Sequence, residues 1–312
     1  MIEEIEYNGW KNNLRIRGAK TELVLTLDVG PRVIRYALHD GPNVFVELKE
    51  QIGGAGEEEW MIRGGHRFWT APEADHSYDL DNKPVAWKKL GDDAVELTQP
   101  PSKDFGFQKT MIVELLPGEE EVVRITHRLT AIGDQTLEVT PWALSVMDVG
   151  GVCVVPQPPA DLHPSEFPDG RATKPEEFLP NRAFVLWPFT DLTDGRYQFS
   201  EHFLRLFQRV GLAATKLGLA FASGWIAYQN KGVIFAKHIP WYDGELYPDW
   251  GVNLELFTNN TILEMESLAP LGTLQPGESR EHVEHWTLRP AGEGLADEEA
   301  ARTFFAELPT IG

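Results

Sequence analysis

Apolar and polar residues alternate with a period of two over most of this chain, which predicts β-strands rather than helices. The clearest run places Leu23, Leu25, Leu27 and Val29 between polar residues, and Gly30-Pro31 ends it. Other runs of this kind occupy residues 108–115, 121–129, 137–149, 225–229, 232–239 and 282–288. Short segments rich in Gly, Pro and Asn separate them, so we expect consecutive antiparallel hairpins.

Helical periodicity is confined to two short segments. Ala301, Phe304, Phe305 and Leu308 are spaced as one face of a helix, which predicts a C-terminal helix over residues 295–309. Residues 200–210 fit a helix and a strand equally well. With so few helices available to connect parallel strands, the pattern favours an all-β antiparallel sandwich, interpreted as one domain over residues 1–312.

A Pro-rich connection over residues 156–188 interrupts the strand pattern. It is too long for a hairpin loop, and loops of this length often carry function. Two hypotheses stay open for it, a lid over a site and a contact with a second subunit. The sequence predicts no oligomeric state.

The segment from Trp250 to Pro270 carries the most specific chemical pattern. Asn tolerates a positive φ, so Asn259-Asn260 is predicted to form a two-residue hairpin turn. This register places Glu255 opposite Glu264 and Asn253 opposite Glu266. Alternation gathers these polar side chains on one face of the hairpin. The opposite face carries Leu254, Leu256, Leu263 and Met265.

A face crowded with carboxylates has two interpretations. Opposed like charges destabilise a strand pair by about 0.2–1 kcal/mol, so the cluster needs a compensating reason. One interpretation is a solvated outer face, where the carboxylates repel only weakly. The other, which we favour, is the floor of a polar cleft, because crowded carboxylates raise one another's pKa and so provide acids or bases that titrate nearer neutrality.

Residues 61–81 form a second concentration of polar and aromatic side chains. Gly64-Gly65 permits close approach of the backbone to a ligand, and His66 and Arg67 follow it. We interpret His66 as a proton donor or a hydrogen-bonding partner of a ligand. Trp69 offers a flat apolar face with a polar edge, a shape that suits stacking on a sugar ring.

The histidines of this segment do not predict a metal centre. The spacing of His66, Glu73 and His76 matches none of the established ligand signatures. We therefore predict no metal and no cofactor. Lys237 is instead the candidate cation that compensates the carboxylates.

Composition restricts the partners of the chain. Its net charge of −20 would repel nucleic acids and anionic membranes. No segment approaches the run of about 20 apolar residues that a membrane helix needs, and the N-terminal residues are polar and acidic, so a cytoplasmic location is expected. Cys153 is the only cysteine, and its apolar neighbours predict a buried, unreactive thiol.

Four segments resemble the galactose mutarotase-like superfamily of aldose 1-epimerases. They are GGHRFWTAPE from Gly64, GPRVIRY from Gly30, TPWALSVM from Thr140 and NLELFTNNTILEMESLAPLGTLQPGES from Asn253. The resemblance extends from about Glu22 to Leu288. It implies a β-supersandwich whose concave face binds a hexose, with a glutamate base that takes the proton of the anomeric hydroxyl. Leu263-Glu264-Met265-Glu266 is similar to the strand that supplies this base, which implies Glu264.

A narrower similarity concerns phosphate. Ile62-Arg63-Gly64-Gly65 is similar to a segment of hexose-6-phosphate epimerases in which the arginine helps to bind the phosphate group. Whether the sugar is phosphorylated stays open.

The chain departs from the family pattern at both histidines. Family members have a His-Gly-Gly segment and a His-x-Tyr-Phe-Asn strand, whereas this chain has Gly-Gly-His66 and Pro141-Trp142-Ala143-Leu144. The second histidine is absent. Either His66, His238 or Lys237 replaces the missing donor, or the scaffold binds a sugar without epimerising it.

These observations favour a carbohydrate-binding protein that interconverts the anomers of an aldose, with a small-molecule sugar as its partner. A non-catalytic sugar sensor and a carboxylate-based glycoside hydrolase or lyase are the alternatives, so enzymatic activity stays open. The predicted catalytic residues are Glu264 and His66. The predicted sugar-binding residues are Arg67, Trp69, Glu73, Trp142, Lys237, Asp249, Asn253, Glu255 and Glu266.

Overall fold

The computed structural model describes residues 1–118, 121–158, 179–222, 224–292 and 294–311. Its strands, in chain order, are β1 Ile2–Tyr7, β2 Trp10–Arg17, β3 Thr21–Thr26, β4 Arg32–Leu38, β5 Gly65–Ala71, β6 Ala86–Lys89, β7 Ala94–Thr98, β8 Phe107–Leu116, β9 Val122–Ala131, β10 Thr140–Met147, β11 Val152–Pro156, β12 Phe184–Leu186, β13 Tyr197–Phe199, β14 Phe203–Phe207, β15 Thr215–Leu219, β16 Trp225–Asn230, β17 Val233–His238, β18 Leu254–Thr258, β19 Leu263–Leu268 and β20 Ser279–Pro290. A 3₁₀ helix spans Asp75–Tyr78, a short irregular turn that we label α1 spans Pro248–Gly251, and the α-helix α2 spans Glu298–Ala306. Over these ranges, no helix has the length and apolar character that crossing a bilayer requires.

The strands form two ten-stranded antiparallel sheets, as the alternating pattern predicts. Sheet 1 has the order β1-β2-β3-β4-β5-β10-β19-β18-β15-β12. Sheet 2 has the order β13-β14-β11-β16-β17-β20-β9-β8-β7-β6. The predicted all-β sandwich class is confirmed.

The main apolar core lies between the two sheets. Sheet 1 contributes inward side chains such as Leu25, Phe68 and Leu256, and sheet 2 contributes Val113 and Phe235 from the opposite side. Because side chains alternate along a strand, each inward residue has neighbours that point to the outer face. The outer-face side chains of β5, β10, β19 and β18 are therefore attached to strands whose inner faces pack in the apolar core.

The predicted C-terminal helix is present as α2. Its apolar residues Ala301, Phe304 and Phe305 pack on the outer face of sheet 2, in one cluster with Val154 and with Leu308, which follows the end of the helix. The side chain of Asp297 accepts a hydrogen bond from the backbone N–H of Ala300, 2.9 Å away, so the helix begins at residue 298 rather than 295.

The structure assigns secondary structure to two segments that the sequence pattern left open or without a predicted strand. Within the ambiguous residues 200–210, Phe203–Phe207 is strand β14, which pairs with β11. The Pro-rich connection contains strand β12 near its end, where Phe184–Leu186 pairs with β15. Residues 159–178 of that connection lie outside the described residues, so its roles as a lid or a subunit contact stay predictions.

The register predicted for the β18–β19 hairpin is wrong by two residues, although the two faces are as predicted. Glu255 pairs with Glu266, and Phe257 pairs with Glu264. The turn spans four residues, because the side-chain oxygen of Asn259 accepts hydrogen bonds from the backbone N–H groups of Thr261 and Ile262. This Asn-capped turn replaces the positive-φ turn that the Asn-Asn pair suggested.

Candidate functional site

A cluster of charged and aromatic side chains lies on the outer face of sheet 1. Five strands supply it, because β5, β10, β19, β18 and β15 are consecutive in the sheet. We call this cluster the outer-face site, and its members are Arg67, Trp69, Trp142, Lys216, Glu255, Glu264 and Glu266. Alternation along each strand keeps these residues away from the apolar side chains that fill the core.

The three carboxylates of the outer-face site are withdrawn from solvent. Glu255 is 0% exposed, Glu266 is 1% exposed and Glu264 is 7% exposed. The interpretation of this face as a freely solvated surface is therefore wrong, whereas its interpretation as the floor of a polar cleft stays a prediction. Because burying a charge is costly unless it is paired, the carboxylates require nearby cations.

Lys216 is the cation that joins two of the carboxylates. Its Nζ lies 2.6 Å from Oε2 of Glu255 and 3.1 Å from Oε2 of Glu266. The same ammonium lies 4.9 Å from the ring centre of Trp142 and 4.7 Å from that of Trp187. Two carboxylates and two indole faces thus enclose one ammonium group, an arrangement that ion pairing and cation–π attraction both stabilise.

Arg67 is the second cation and pairs with the third carboxylate. Its Nη2 lies 2.8 Å from Oε1 of Glu264. The guanidinium stacks between Trp60 and Trp69, with ring-centre distances of 5.2 and 4.8 Å. Among the described residues, Nε and Nη1 of this buried guanidinium have no hydrogen-bond partner.

The close packing of these charges shifts their proton affinities. Burial raises the pKa of Glu266 to about 7, Lys216 opposes this effect, and the nearby Glu264 adds to it. Burial also raises the pKa of Glu255 well above its usual range. For Lys216, burial acts to lower the pKa, but the attraction of Glu266 and Glu255 outweighs it and raises the value. The site therefore combines a protonated lysine with a carboxyl group that titrates near neutrality.

Aromatic rings surround the charged groups. Trp69 contacts Trp60 and Trp142 edge-to-face, with ring centres 5.1 and 5.3 Å apart, and lies 4.8 Å from Tyr78. The indole N–H groups of Trp60 and Trp142 are buried and have no hydrogen-bond partner among the described residues. The charged groups are therefore bordered by aromatic rings, two of which carry unsatisfied N–H edges.

The predicted position of His66 is wrong. Its side chain lies on the core face of β5, is 0% exposed, and contacts Ser145 at 2.9 Å and His127 at 2.7 Å. Adjacent residues of a strand point to opposite faces, so the placement of Arg67 in the outer-face site excludes His66 from it. His66 therefore does not reach a ligand bound at the outer-face site.

Lys237 is also misplaced by the sequence prediction. Its Nζ lies between the sheets, 2.7 Å from Oε1 of Glu284 and 2.8 Å from the carbonyl oxygen of Met265. Strand β17 belongs to sheet 2 and directs this side chain into the interior. The compensating cations of the carboxylates are Lys216 and Arg67 instead.

Three other predicted residues differ in position. Asn253 is buried. Its side-chain oxygen accepts a hydrogen bond from the backbone N–H of Phe221 at 2.7 Å, and its side-chain nitrogen donates one to the carbonyl oxygen of Phe221 at 2.9 Å. Asp249 is half-buried in α1, near enough to Glu255 to contribute to its raised pKa. Glu73 is exposed and accepts a hydrogen bond from Tyr78 at 2.5 Å. The hydrogen bonds of Asn253 thus hold the backbone in place, whereas Asp249 and Glu73 lie outside the outer-face site.

Gly64-Gly65 and Arg63 serve contacts other than those predicted. A Cβ atom on Gly64, whose φ is +97°, would lie 2.1 Å from the carbonyl oxygen of Val46. The double glycine is therefore required by packing against neighbouring backbone. The Arg63 guanidinium lies 2.5 Å from a carboxylate oxygen of Glu57, so the residue suggested for phosphate binding is already paired.

The list of predicted sugar-binding residues does not include Lys216, Trp187, Trp60 or Tyr78. Lys216 lies in TKLGL, a short strand with an unremarkable pattern, and Trp187 lies in the Pro-rich connection. Only the order of strands in sheet 1 brings β15 beside β18. The only feature of the sequence that pointed to such a residue was the need of clustered carboxylates for a cation. That argument selected Lys237, whereas the structure places Lys216 beside Glu255 and Glu266.

Comparisons with known proteins give no match to any protein family model and none to any curated protein. Solved structures do match over most of the chain. A galactose mutarotase-like protein from Lactobacillus casei is 11% identical, with a TM-score of 0.57, covering 89% of this chain and 100% of that one. A galactose mutarotase-like protein from Clostridium acetobutylicum is 12% identical, with a TM-score of 0.55, covering 93% and 98%.

A Klebsiella pneumoniae protein, provisionally assigned as an aldose 1-epimerase, is 15% identical, with a TM-score of 0.52, and 98% of this chain and 86% of that one are covered. At these identities the likeness concerns the path of the backbone. The chain has the galactose mutarotase-like β-sandwich fold.

Proposed function

We propose that the outer-face site binds an aldose and interconverts its anomers, with Glu264 as the general base. The observation that carries this proposal is the burial of three carboxylates and two cations among tryptophan rings on one face of sheet 1. Buried, strongly coupled charges cost stability and are concentrated where chemistry is done. We choose an aldose as the substrate class because structurally similar proteins are named as mutarotase-like.

Glu264 suits the role of base by position. It has the largest exposed fraction of the three glutamates, 7%, and Arg67 holds its carboxylate at 2.8 Å. In the proposed reaction the carboxylate accepts the proton of the anomeric hydroxyl, while the ring oxygen receives a proton as the bond from C1 to the ring oxygen breaks. Rotation in the open-chain aldehyde and reclosure give the other anomer.

Glu266 is the proposed proton donor to the ring oxygen, in place of the family's histidine. It lies two residues after Glu264 on the same face of β19, and burial raises its pKa to about 7. A donor is most effective when its pKa lies near the working pH. Lys216 holds Glu266 in place, and Trp69 and Trp142 supply the apolar surface for the sugar ring.

Polarimetry, or NMR exchange between anomers, tests the proposal with a panel of hexoses. We expect the wild-type protein to accelerate mutarotation of at least one aldose, and Glu264→Gln to lower this acceleration by about 10²-fold or more. Glu138→Gln, at an exposed glutamate, is the matched control and should leave the rate unchanged. A wild-type rate equal to the spontaneous rate for every aldose would remove the enzymatic proposal.

One observation favours a second candidate, a sugar-binding protein without activity. The chain has Pro141-Trp142-Ala143-Leu144 where the family strand carries its second histidine, and His66 of β5 points into the core, so neither strand supplies that proton donor to the outer-face site. This candidate predicts saturable sugar binding by calorimetry, weakened by Trp142→Ala, together with no acceleration of mutarotation. Incubation with oligosaccharides, followed by chromatography, separates both candidates from a hydrolase or lyase, because only the latter shortens the chains.

A further inference from the structure

Two histidines and one glutamate meet between the sheets, behind the outer-face site. His66 comes from β5, His127 from β9 and Glu284 from β20. One nitrogen of each imidazole and one oxygen of the carboxylate all lie within 4.8 Å of one another. Each residue is 0% exposed. Nothing in the proposed sugar chemistry uses this group, since it lies on the opposite side of sheet 1.

The surrounding hydrogen bonds orient both imidazoles inward. Nδ1 of His127 lies 3.1 Å from the carbonyl oxygen of His282 and donates its hydrogen to it, because a carbonyl only accepts. Nε2 of His127 is therefore left with a lone pair. Nδ1 of His66 is engaged by the hydroxyl of Ser145 at 2.9 Å, and its Nε2 faces that of His127 at 2.7 Å.

Hydrogen bonds and an ion pair also hold the carboxylate of Glu284 in place. Lys237 lies 2.7 Å from Oε1 of Glu284, and Ser267 donates to the same oxygen. Trp286 Nε1 lies 2.9 Å from Oε2, the oxygen that is 3.8 Å from Nε2 of His66. Partners of this kind, around two histidines and one carboxylate, are the outer contacts that fix the ligands of a metal ion.

We propose that His66, His127 and Glu284 bind one divalent transition-metal ion, with zinc as the best-suited member of that class. Two imidazoles and a carboxylate are a zinc donor set, whereas Mg²⁺ and Ca²⁺ prefer oxygen ligands. The ion takes the place of the proton that joins the two Nε2 atoms. Bonds of about 2.1 Å at a tetrahedral angle separate two ligand nitrogens by roughly 3.4 Å, so the Nε2 atoms move apart by roughly 0.7 Å.

The proposed ion would connect β5 of sheet 1 with β9 and β20 of sheet 2, and none of its three ligand residues is exposed to solvent. The ion would enter during folding and stabilise the folded chain by binding only to it. The full chain is therefore measured as purified, and again after unfolding, chelation and refolding with ZnCl₂, with CoCl₂ or with no metal.

Elemental analysis and Co²⁺ absorption decide the proposal. We expect about one equivalent of transition metal per chain, a visible Co²⁺ spectrum with nitrogen and oxygen ligation that saturates at one equivalent, and a melting temperature several degrees higher with zinc. His66→Asn and His127→Asn should each lose the ion. His282→Asn is the matched control, because it changes a buried histidine of the same network and keeps the backbone carbonyl that orients His127.

Three outcomes would overturn the proposal. One is a wild-type chain that takes up no Co²⁺ or Zn²⁺ in any preparation. Another is loss of the ion in His282→Asn while His66→Asn retains it. The third is a Co²⁺ spectrum that shows sulfur ligation. If the asparagine variants do not fold, the stoichiometry and spectrum of the wild-type chain still decide the result.

Discussion

His66 and Arg67 are consecutive in the chain and lie on opposite faces of β5, the histidine against His127 in the core and the arginine against Glu264 in the outer-face site. One strand thereby serves two separate polar clusters. Substitutions at the two positions have separable effects: changes at residue 67 act on the proposed sugar site, and changes at residue 66 act on the buried cluster.

Lys216→Met should be strongly destabilising, since it leaves Glu255 and Glu266 buried without their shared cation. Breaking a buried ion pair from one side costs about 3–5 kcal/mol. The triple variant Lys216→Met, Glu255→Gln, Glu266→Gln should recover most of this loss because no unpaired charge remains. Urea denaturation measures both. Equal destabilisation of the single and triple variants would contradict the pairing described here.

The stability conferred by Glu266 should depend on pH. Its pKa is about 7 in the folded chain, above the ordinary 4.5, so the folded state holds a proton that the unfolded state releases between these values. The folded state therefore loses stability relative to the unfolded state as pH rises from about 4.5 to 7, and the loss levels off above that range.

Glu266→Gln removes this titration, and its free energy of unfolding should rise relative to wild type over the same pH range. Chemical denaturation at intervals of half a pH unit gives the difference curve. The control Glu138→Gln should give a flat curve. A Glu266→Gln difference that is also flat from pH 4.5 to 7 would show that the pKa of Glu266 is not raised.

Trp187→Ala should weaken sugar binding more than it weakens folding. The indole is half-buried and covers one side of the Lys216 ammonium. Loss of an aromatic contact worth about 0.5–1.5 kcal/mol corresponds to a decrease in affinity of up to about tenfold. Calorimetric titration with the best-bound aldose measures the affinity. Trp187→Phe keeps a ring and should retain most of it; an unchanged affinity in Trp187→Ala would place the sugar elsewhere.

The β18–β19 turn gives a test of its hydrogen bonding. Asn259→Ala removes the acceptor for the N–H groups of Thr261 and Ile262 and should cost about 1 kcal/mol. Asn260→Gly should give no gain, because neither asparagine of the turn has the positive φ that glycine favours. Thermal or urea denaturation compares the variants. Stabilisation by Asn260→Gly would indicate the two-residue turn after all.

Much of the fold follows from the sequence because strand periodicity is a local property. The alternation around Glu255, Glu264 and Glu266 is enough to place them on one face and Leu254 and Met265 on the other, whatever the turn does. The register required more, since it depends on whether Asn259 uses its backbone conformation or its side-chain oxygen to close the turn.

The sequence could not show which cations pair with the carboxylates of the outer-face site, for a different reason. Lys216 and Lys237 both lie in short apolar strands, and only the sheet to which each strand belongs decides which way the ammonium points. His66 and Arg67 likewise lie next to each other in β5 and point to opposite faces of the sheet. The sequence does not show which of the two points into the core until the structure locates one of them.

The chain by itself determined its strands, the acidic face of one hairpin and the class of sandwich, because alternation and turn chemistry act between near neighbours. The tertiary structure alone decided that Lys216 and Trp187 enclose those carboxylates and that His66, His127 and Glu284 meet in the core. Those contacts join residues far apart in the chain, and pairing between distant strands is set by the packing of the two sheets as a whole.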